Sequence, residues 1–313
     1  MNLSTSVDRF VAHKRGLGMK YLTEERLLRH FCRAMGGVSV SSVSPAMVAE
    51  YLCPNGRHTR ISDIRYYVLG VYFRYAIARR HITRSPLPSR MRSKPQILVP
   101  HIYSRDELAL LLRVASEPYP RKAHIEPYMM HAVIALVYGA GLRISEAMAL
   151  TLGDVDDARS LLCIRDTKFY KTRLVPLGDD VAAAFKTFLA RRSACYSSAP
   201  TAPVFMFKEH RPLTAHAVQS LFRRICRRAG LGTDASQGSP PRVHDLRHSA
   251  AVHRLIAWYR NGEDVHLLLP QLATYLGHKD LSSTQRYLQL TPDLLAEVSQ
   301  RFEHHTREVR RHA

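Results

Sequence analysis

Residues 244–253 read HDLRHSAAVH. His244 and His248 stand four apart, on one face if the segment is helical, and that is metal-ligand spacing. The zinc-protease pattern needs Glu after the first His, however, and this chain has Asp245. No cysteine pair supports a zinc site either. Arg247 opens another reading once the neighbouring stretches are added. Upstream lie Gly141-Leu142-Arg143 with Glu146, and a lysine, Lys168, between two β-prone runs; downstream lie Leu276-Gly277-His278 and Tyr287. Singly, each has an ordinary explanation: a lone helix Arg or hairpin Lys is usually solvated, and a given tyrosine is more often packing than a nucleophile. Together they form a set suited to phosphoryl transfer. Two guanidiniums, Arg143 and Arg247, can bind both non-bridging oxygens of a phosphodiester through paired donors. His244 and His278 can add hydrogen bonds, Lys168 can protonate a leaving oxygen, and Tyr287 offers a phenolic oxygen as nucleophile.

Around this set the sequence reads as two helical segments. In the first, Leu27, Leu28, Phe31 and Met35 recur at helical spacing, and Ser44-Pro45 is a cap and first-turn signal opening a helix over 45–52. Ile61, Ile64, Val68, Val71 and Tyr75 make one apolar stripe over 61–79, predicted to face a bundle core. Residues 84–101 carry four prolines and several charges, the best linker in the chain. In the second segment, helical patterns run over 126–138 and 143–150, separated by Gly139-Ala140-Gly141. Two short β-prone runs, 161–165 and 173–177, flank DTKFYKT and predict a two-stranded hairpin presenting Lys168 and Lys171 at its tip. Further helical patterns cover 181–192, 215–229, 244–258, 267–276, 283–290 and 292–302.

Composition narrows the partners. The 313 residues include 46 Lys and Arg against 26 Asp and Glu, a net charge of +20, which favours a polyanion such as nucleic acid. Residues 1–100 hold 17 Lys and Arg against 5 Asp and Glu, so the shorter segment carries the larger excess. No stretch is apolar enough to predict a membrane span, the first residues lack a signal-peptide core, and five cysteines without a CxxC fit a reducing cytoplasm.

Four stretches, AGLRISEAMAL at 140–150, DTKFYKTRLVPL at 166–177, HDLRHSAAVH at 244–253 and YLGHKDLSSTQRYLQL at 275–290, agree in order and spacing with one family. The chain resembles the tyrosine recombinases of the phage integrase group. The resemblance implies a mainly α fold with a small β-sheet: an α-helical core-binding domain over 1–90, a linker over 91–102, and a mixed α/β catalytic domain over 103–313 with a C-terminal helical tail. It implies Arg143 and Arg247 as the catalytic arginine pair, Lys168 as general acid, and His244 and His278 at the two remaining active-site positions. Tyr287 would form a 3′-phosphotyrosyl link and free a 5′-hydroxyl, with Glu146 orienting a guanidinium from behind. Lys168 is preferred to Lys171 because it keeps the expected distance from Leu174-Val175-Pro176-Leu177. The partner implied is double-stranded DNA at a specific site, clamped between the two domains, without ATP, Mg²⁺ or another cofactor. Synapsis implies a homotetramer, with sister recombinases as a further option, and the setting implied is a mobile element.

The sequence also departs from the family. Residues 255–272 are longer than the commonest spacing, and the excess is predicted to form a longer loop around Asn261–Asp264. Phe169-Tyr170 stand where many relatives carry glycine. After Tyr287, Leu294, Leu295, Val298 and Phe302 share an apolar face that either packs on its own domain or docks into a neighbouring protomer. Two rival functions use the same residues: a type IB topoisomerase-like activity, and a DNA-binding protein without catalysis. A compact basic helical module favours recombination over the first, and a competent residue at every matched position disfavours the second.

Overall fold

Helix caps and apolar stripes set the limits of the elements. The computed structural model describes residues 1–88, 100–120, 123–165, 172–232, 240–278 and 280–289. The chain forms two compact units, whose described residues are 1–88 and 100–289. The predicted linker over 91–102 falls largely outside the described residues. So do Lys168, Lys171 and the tail from residue 290 onward.

The first unit is four helices: α1 (Leu3–Gly16), α2 (Leu22–Met35), α3 (Pro45–Leu52) and α4 (Arg60–Ala78). Asn2 caps α1 by accepting from the Ser4 amide at 2.8 Å, and Ser44 caps α3 by accepting from Met47 at 3.3 Å. Their core joins Val7 and Phe10 of α1, Leu28 and Phe31 of α2, Val48 and Leu52 of α3, and Tyr72 and Phe73 of α4. The buried face of α4 corrects the sequence reading. Val68, Leu69, Tyr72, Phe73 and Ala76 are buried, whereas Ile61 and Ile64 are 43% and 42% exposed. Val68 belongs to both faces and Val71 and Tyr75 pack against the core from its edge, so the buried face overlaps the predicted stripe but is centred about one residue, or ~100° of helix, from it. The two aromatic rings bury more apolar area than the isoleucines would, so they decide which face turns inward.

In the second unit, α5 (Arg105–Ser116) starts at a reciprocal cap between Ser104 and Glu107, with bonds of 3.1 and 2.7 Å. Helix α6 (Pro127–Gly139) is apolar on nearly every side and is buried accordingly through Met129, Met130, Val133, Ile134, Leu136 and Val137. It leads into α7 (Ile144–Ala149) and an antiparallel sheet of β1 (Val155–Asp156), β2 (Leu161–Ile164) and β3 (Arg173–Pro176) in that order. The sequence predicted two strands; β1, only two residues long, leaves no alternation to read. Leu162 and Ile164 of β2 and Val175 of β3 enter the core. Helices α8 (Asp179–Ser193), α9 (Ala215–Arg228), α10 (Val243–Arg260), α11 (Val265–Leu276) and α12 (Ser282–Gln285) follow, and a 3₁₀ turn, Arg286–Gln289, carries Tyr287. The predicted longer loop is also corrected. Only 261–264 connect α10 to α11, with Gly262 at φ +76°, and the extra length is helical. Asp264 starts α11 by accepting from the amides of His266 and Leu267. No described helix is long and apolar enough to cross a membrane.

The α4 assignment predicts unequal costs. Phe73→Ala should lower unfolding stability by about 3–5 kcal/mol, while Ile64→Ser should change it by about 0.5 kcal/mol or less, as measured by urea denaturation of the full chain. Equal losses would contradict the buried face.

Candidate active site

Three arginines converge on the C-terminal end of α11. A helix end leaves its last carbonyls without intrahelical partners and carries partial negative charge. Here Arg173 Nε donates to the Tyr275 carbonyl at 2.9 Å, Arg247 Nη2 donates to the Leu276 carbonyl, and Arg143 Nη2 donates to the Gly277 carbonyl at 2.7 Å. The helix closes in a Schellman turn, with the His278 amide donating to Ala273 at 2.9 Å and the Gly277 amide to Thr274 at 3.0 Å. Gly277 has φ +66°, and a Cβ there would lie 2.7 Å from the Arg173 guanidinium. Glycine therefore satisfies both the backbone conformation and the space the arginine needs.

Glu146 supplies the countercharge. The end of α6 places Gly141 at φ +59° and Arg143 at the cap of α7, so Glu146 lies one turn into that helix. Its carboxylate accepts from the Arg143 amide at 3.0 Å, Arg143 Nη1 at 2.6 Å, Arg173 Nη1 at 3.1 Å and Arg173 Nη2 at 2.9 Å. Arg247 is 3.9 Å away and only 1% exposed, and its Nη1 donates to the Gly141 carbonyl at 2.6 Å. Burial alone would raise the Glu146 pKa, but hydrogen bonds and charge from Arg173 and Arg143 overcome it and hold it at about 2. Burial, and then Arg143, lower the Arg247 pKa to about 10, which leaves it charged at neutral pH.

Tyr287 lies beside this cluster, almost fully buried with Val252, Leu255 and Leu276. Burial raises its pKa against the pull of Arg247 and Arg143. The His278 ring stacks on it at 5.9 Å between centroids, and His278 Nδ1 lies 2.7 Å from Thr284 Oγ1. His248 Nδ1 is 3.1 Å from the Tyr287 hydroxyl. Burial, then neighbouring positive groups, push the His248 and His278 pKa values down to about 4, so both rings are neutral at pH 7. The exposed His244 ring meets His248 edge-on at 4.6 Å.

Of the residues the sequence singled out, Arg143, Glu146, Arg247, His278 and Tyr287 come together, and His244 reaches the group through His248. Lys168 lies outside the described residues. Two members were missed. In the sequence Arg173 reads only as part of a strand, and His248 only as half of a metal-like pair. The available signals were the basic residue next to the hairpin loop and the second histidine directly after Arg247.

The phage integrase family profile matches residues 104–293. The chain is 31% identical over 308 residues to y4rB of Sinorhizobium fredii, an integrase/recombinase by name, across 95% of this chain and 96% of that protein. It is 29% identical over 269 residues to the tyrosine recombinase XerA of Thermococcus kodakarensis, across 85% and 83% of the two chains. The Tn1549 transposon integrase, solved with a circular intermediate DNA, shares the fold with TM-score 0.67 at 18% identity, over 96% of this chain and 99% of that one. The fold and site thus define a tyrosine recombinase, and the chain belongs to the phage integrase family.

The carboxylate among the arginines predicts a pH signature. A folded-state pKa of about 2 against an ordinary value near 4.5 contributes stability that is present above about pH 4.5 and lost as pH falls toward 2. Glu146→Gln should cost about 3 kcal/mol at pH 7, and its deficit against wild type should shrink over that acid range. Urea denaturation between pH 3 and 7 checks this; a deficit independent of pH would contradict the ion-pair role.

Proposed function

We propose that Arg143, Lys168, His244, Arg247, His278 and Tyr287 carry out DNA strand cleavage and rejoining in this chain. It is a site-specific tyrosine recombinase working through a covalent 3′-phosphotyrosyl intermediate. The observation that supports this residue assignment is the meeting of Arg143, Arg247, His278 and Tyr287 at the end of α11.

The scissile phosphate is bound by N–H groups of Arg143 and Arg247 that the backbone carbonyls do not engage, with His278 as a further donor. Because the guanidiniums are held before DNA arrives, they stabilise the charge of the transition state with little reorganisation. Tyr287 forms the new oxygen–phosphorus bond, the bond to the 5′ oxygen breaks, and Lys168 gives that oxygen its proton. Rejoining runs these steps backward with a 5′-hydroxyl from the incoming strand. The phosphotyrosine conserves the energy of the broken bond, so ATP is not needed.

The remaining assignments rest on charge and on relatives. Residues 1–90 are the core-binding domain, joined through 91–102 to the catalytic domain over 103–313, and their excess of 12 positive charges over residues 1–100 grips phosphates. The partner is duplex DNA. Lambda integrase has been solved as a tetramer bound to a Holliday junction, and the same assembly is proposed for this chain at synapsis.

Sequencing the DNA trapped covalently on the protein identifies the site and cleavage position. On that site Tyr287→Phe, which removes one oxygen, should retain DNA affinity within a few-fold and yield no adduct. Adduct at the wild-type level would move the nucleophile to another side chain.

A further inference from the structure

We infer that His248 is a further catalytic residue, the base that takes the phenolic proton of Tyr287 as its oxygen attacks the phosphate. This rests on the reading of Tyr287 as nucleophile and adds to it the destination of the proton.

Attack by a neutral phenol must release its proton, and few described groups can receive it. Arg143 and Arg247 are permanently protonated donors with no acceptor site. His278 presents its face to the tyrosine, with 29° between the ring planes, and its Nδ1 is engaged with Thr284 Oγ1. His244 meets His248 rather than the phenol. His248 Nδ1 is in hydrogen-bond contact with the Tyr287 hydroxyl at 3.1 Å. With the imidazole proton on Nε2, Nδ1 is the acceptor. The geometry has a local origin: His248 follows Arg247 on α10, and the 3₁₀ turn Arg286–Gln289 packs against that helix.

The step balances. The Tyr287 oxygen bonds to phosphorus, its proton moves to His248 Nδ1, the bond to the 5′ oxygen breaks, and Lys168 protonates that oxygen. On rejoining, the incoming 5′-hydroxyl returns a proton to Lys168, and imidazolium His248 returns its own to the departing Tyr287 oxygen. No further reactant is required.

The surroundings couple this base to substrate. The groups acting on His248 are His244, Asp245 and Arg247 of its own helix and Arg242 at that helix's cap, with Tyr287 on the 3₁₀ turn and His278 after α11. Burial, and then the positive members of that set, disfavour a protonated ring. An anionic phosphate beside Arg143 and Arg247 offsets that repulsion, so His248 gains basicity when DNA is in place. Tyr287 is therefore activated on the substrate rather than in the free protein.

The test uses the full chain and a nicked duplex carrying the site recovered from trapped adducts, with single-turnover adduct formation as the readout. Melting temperature and DNA affinity serve as folding controls. His248→Ala should slow adduct formation by about 100-fold or more. His248→Gln, which retains an acceptor but cannot titrate, should remain comparably slow, and it carries the comparison if the alanine variant does not fold. Added imidazole should restore about 10-fold or more to the alanine variant, rising with its free-base fraction between about pH 6 and 8. A more acidic fluorotyrosine at position 287 should shrink the deficit of either variant. Wild-type rates in His248→Gln would reduce His248 to orienting the ring. Absence of imidazole rescue together with an unchanged deficit for fluorotyrosine would remove it from proton transfer. Adduct from Tyr287→Phe would instead overturn the nucleophile assignment on which this inference rests.

Discussion

Three like charges share one helix end because acceptors are already there to receive them. The Tyr275, Leu276 and Gly277 carbonyls each take one guanidinium donor, and Glu146 binds two of the arginines directly while lying 3.9 Å from the third. In an interior of low polarity, positive groups at such distances repel strongly unless paired and hydrogen-bonded. Among the described residues this carboxylate is the one that pairs with the three arginines, and it also satisfies the amide of Arg143 at the cap of α7. The loop after α6, the start of β3 and the end of α11, far apart in sequence, are thereby held in one place.

The proposed chemistry inherits this arrangement. Guanidiniums fixed by backbone carbonyls retain further N–H groups for an anionic ligand and do not have to be recruited from solvent when it arrives. Burial, and then the positive potential, keep the nearby histidines neutral. His278 can then serve as a neutral donor and His248 as an acceptor, two roles that imidazolium rings could not divide. Gly141 and Gly277 are the backbone side of the same solution. Both have positive φ, where an L side chain is strained, and a Cβ would lie 2.8 Å from Leu276 Cδ2 at Gly141 and 2.7 Å from the Arg173 guanidinium at Gly277, so a larger residue has to displace those side chains.

Much of this was legible in the sequence because the motifs contain their own local geometry. Leu276-Gly277-His278 encodes a helix stop, and Arg143 with Glu146 encodes a helix start with its carboxylate one turn on. Arg247 and Tyr287 were identified by the order of the motifs. What could not be read depended on tertiary packing. Arg173 looks like one more strand-end cation until β3 meets the end of α11. His248 looks like half of a metal pair until the turn carrying Tyr287 folds against α10. The stripe on α4 misled because spacing counts apolar residues equally, whereas Tyr72 and Phe73 dominate the buried area. Strand β1 was too short to give a period, and the added length after Arg247 was taken up by helix.

The central claim is that one carboxylate and one helix end prepare a phosphate clamp beside Tyr287. A crystal structure of the covalent adduct trapped on a nicked duplex measures it most directly. The geometry predicts phosphorus bonded to the Tyr287 oxygen, its non-bridging oxygens hydrogen-bonded to Arg143 and Arg247, and Glu146 still paired with Arg143 and Arg173. A phosphate joined to another side chain, or bound without either arginine, would contradict it.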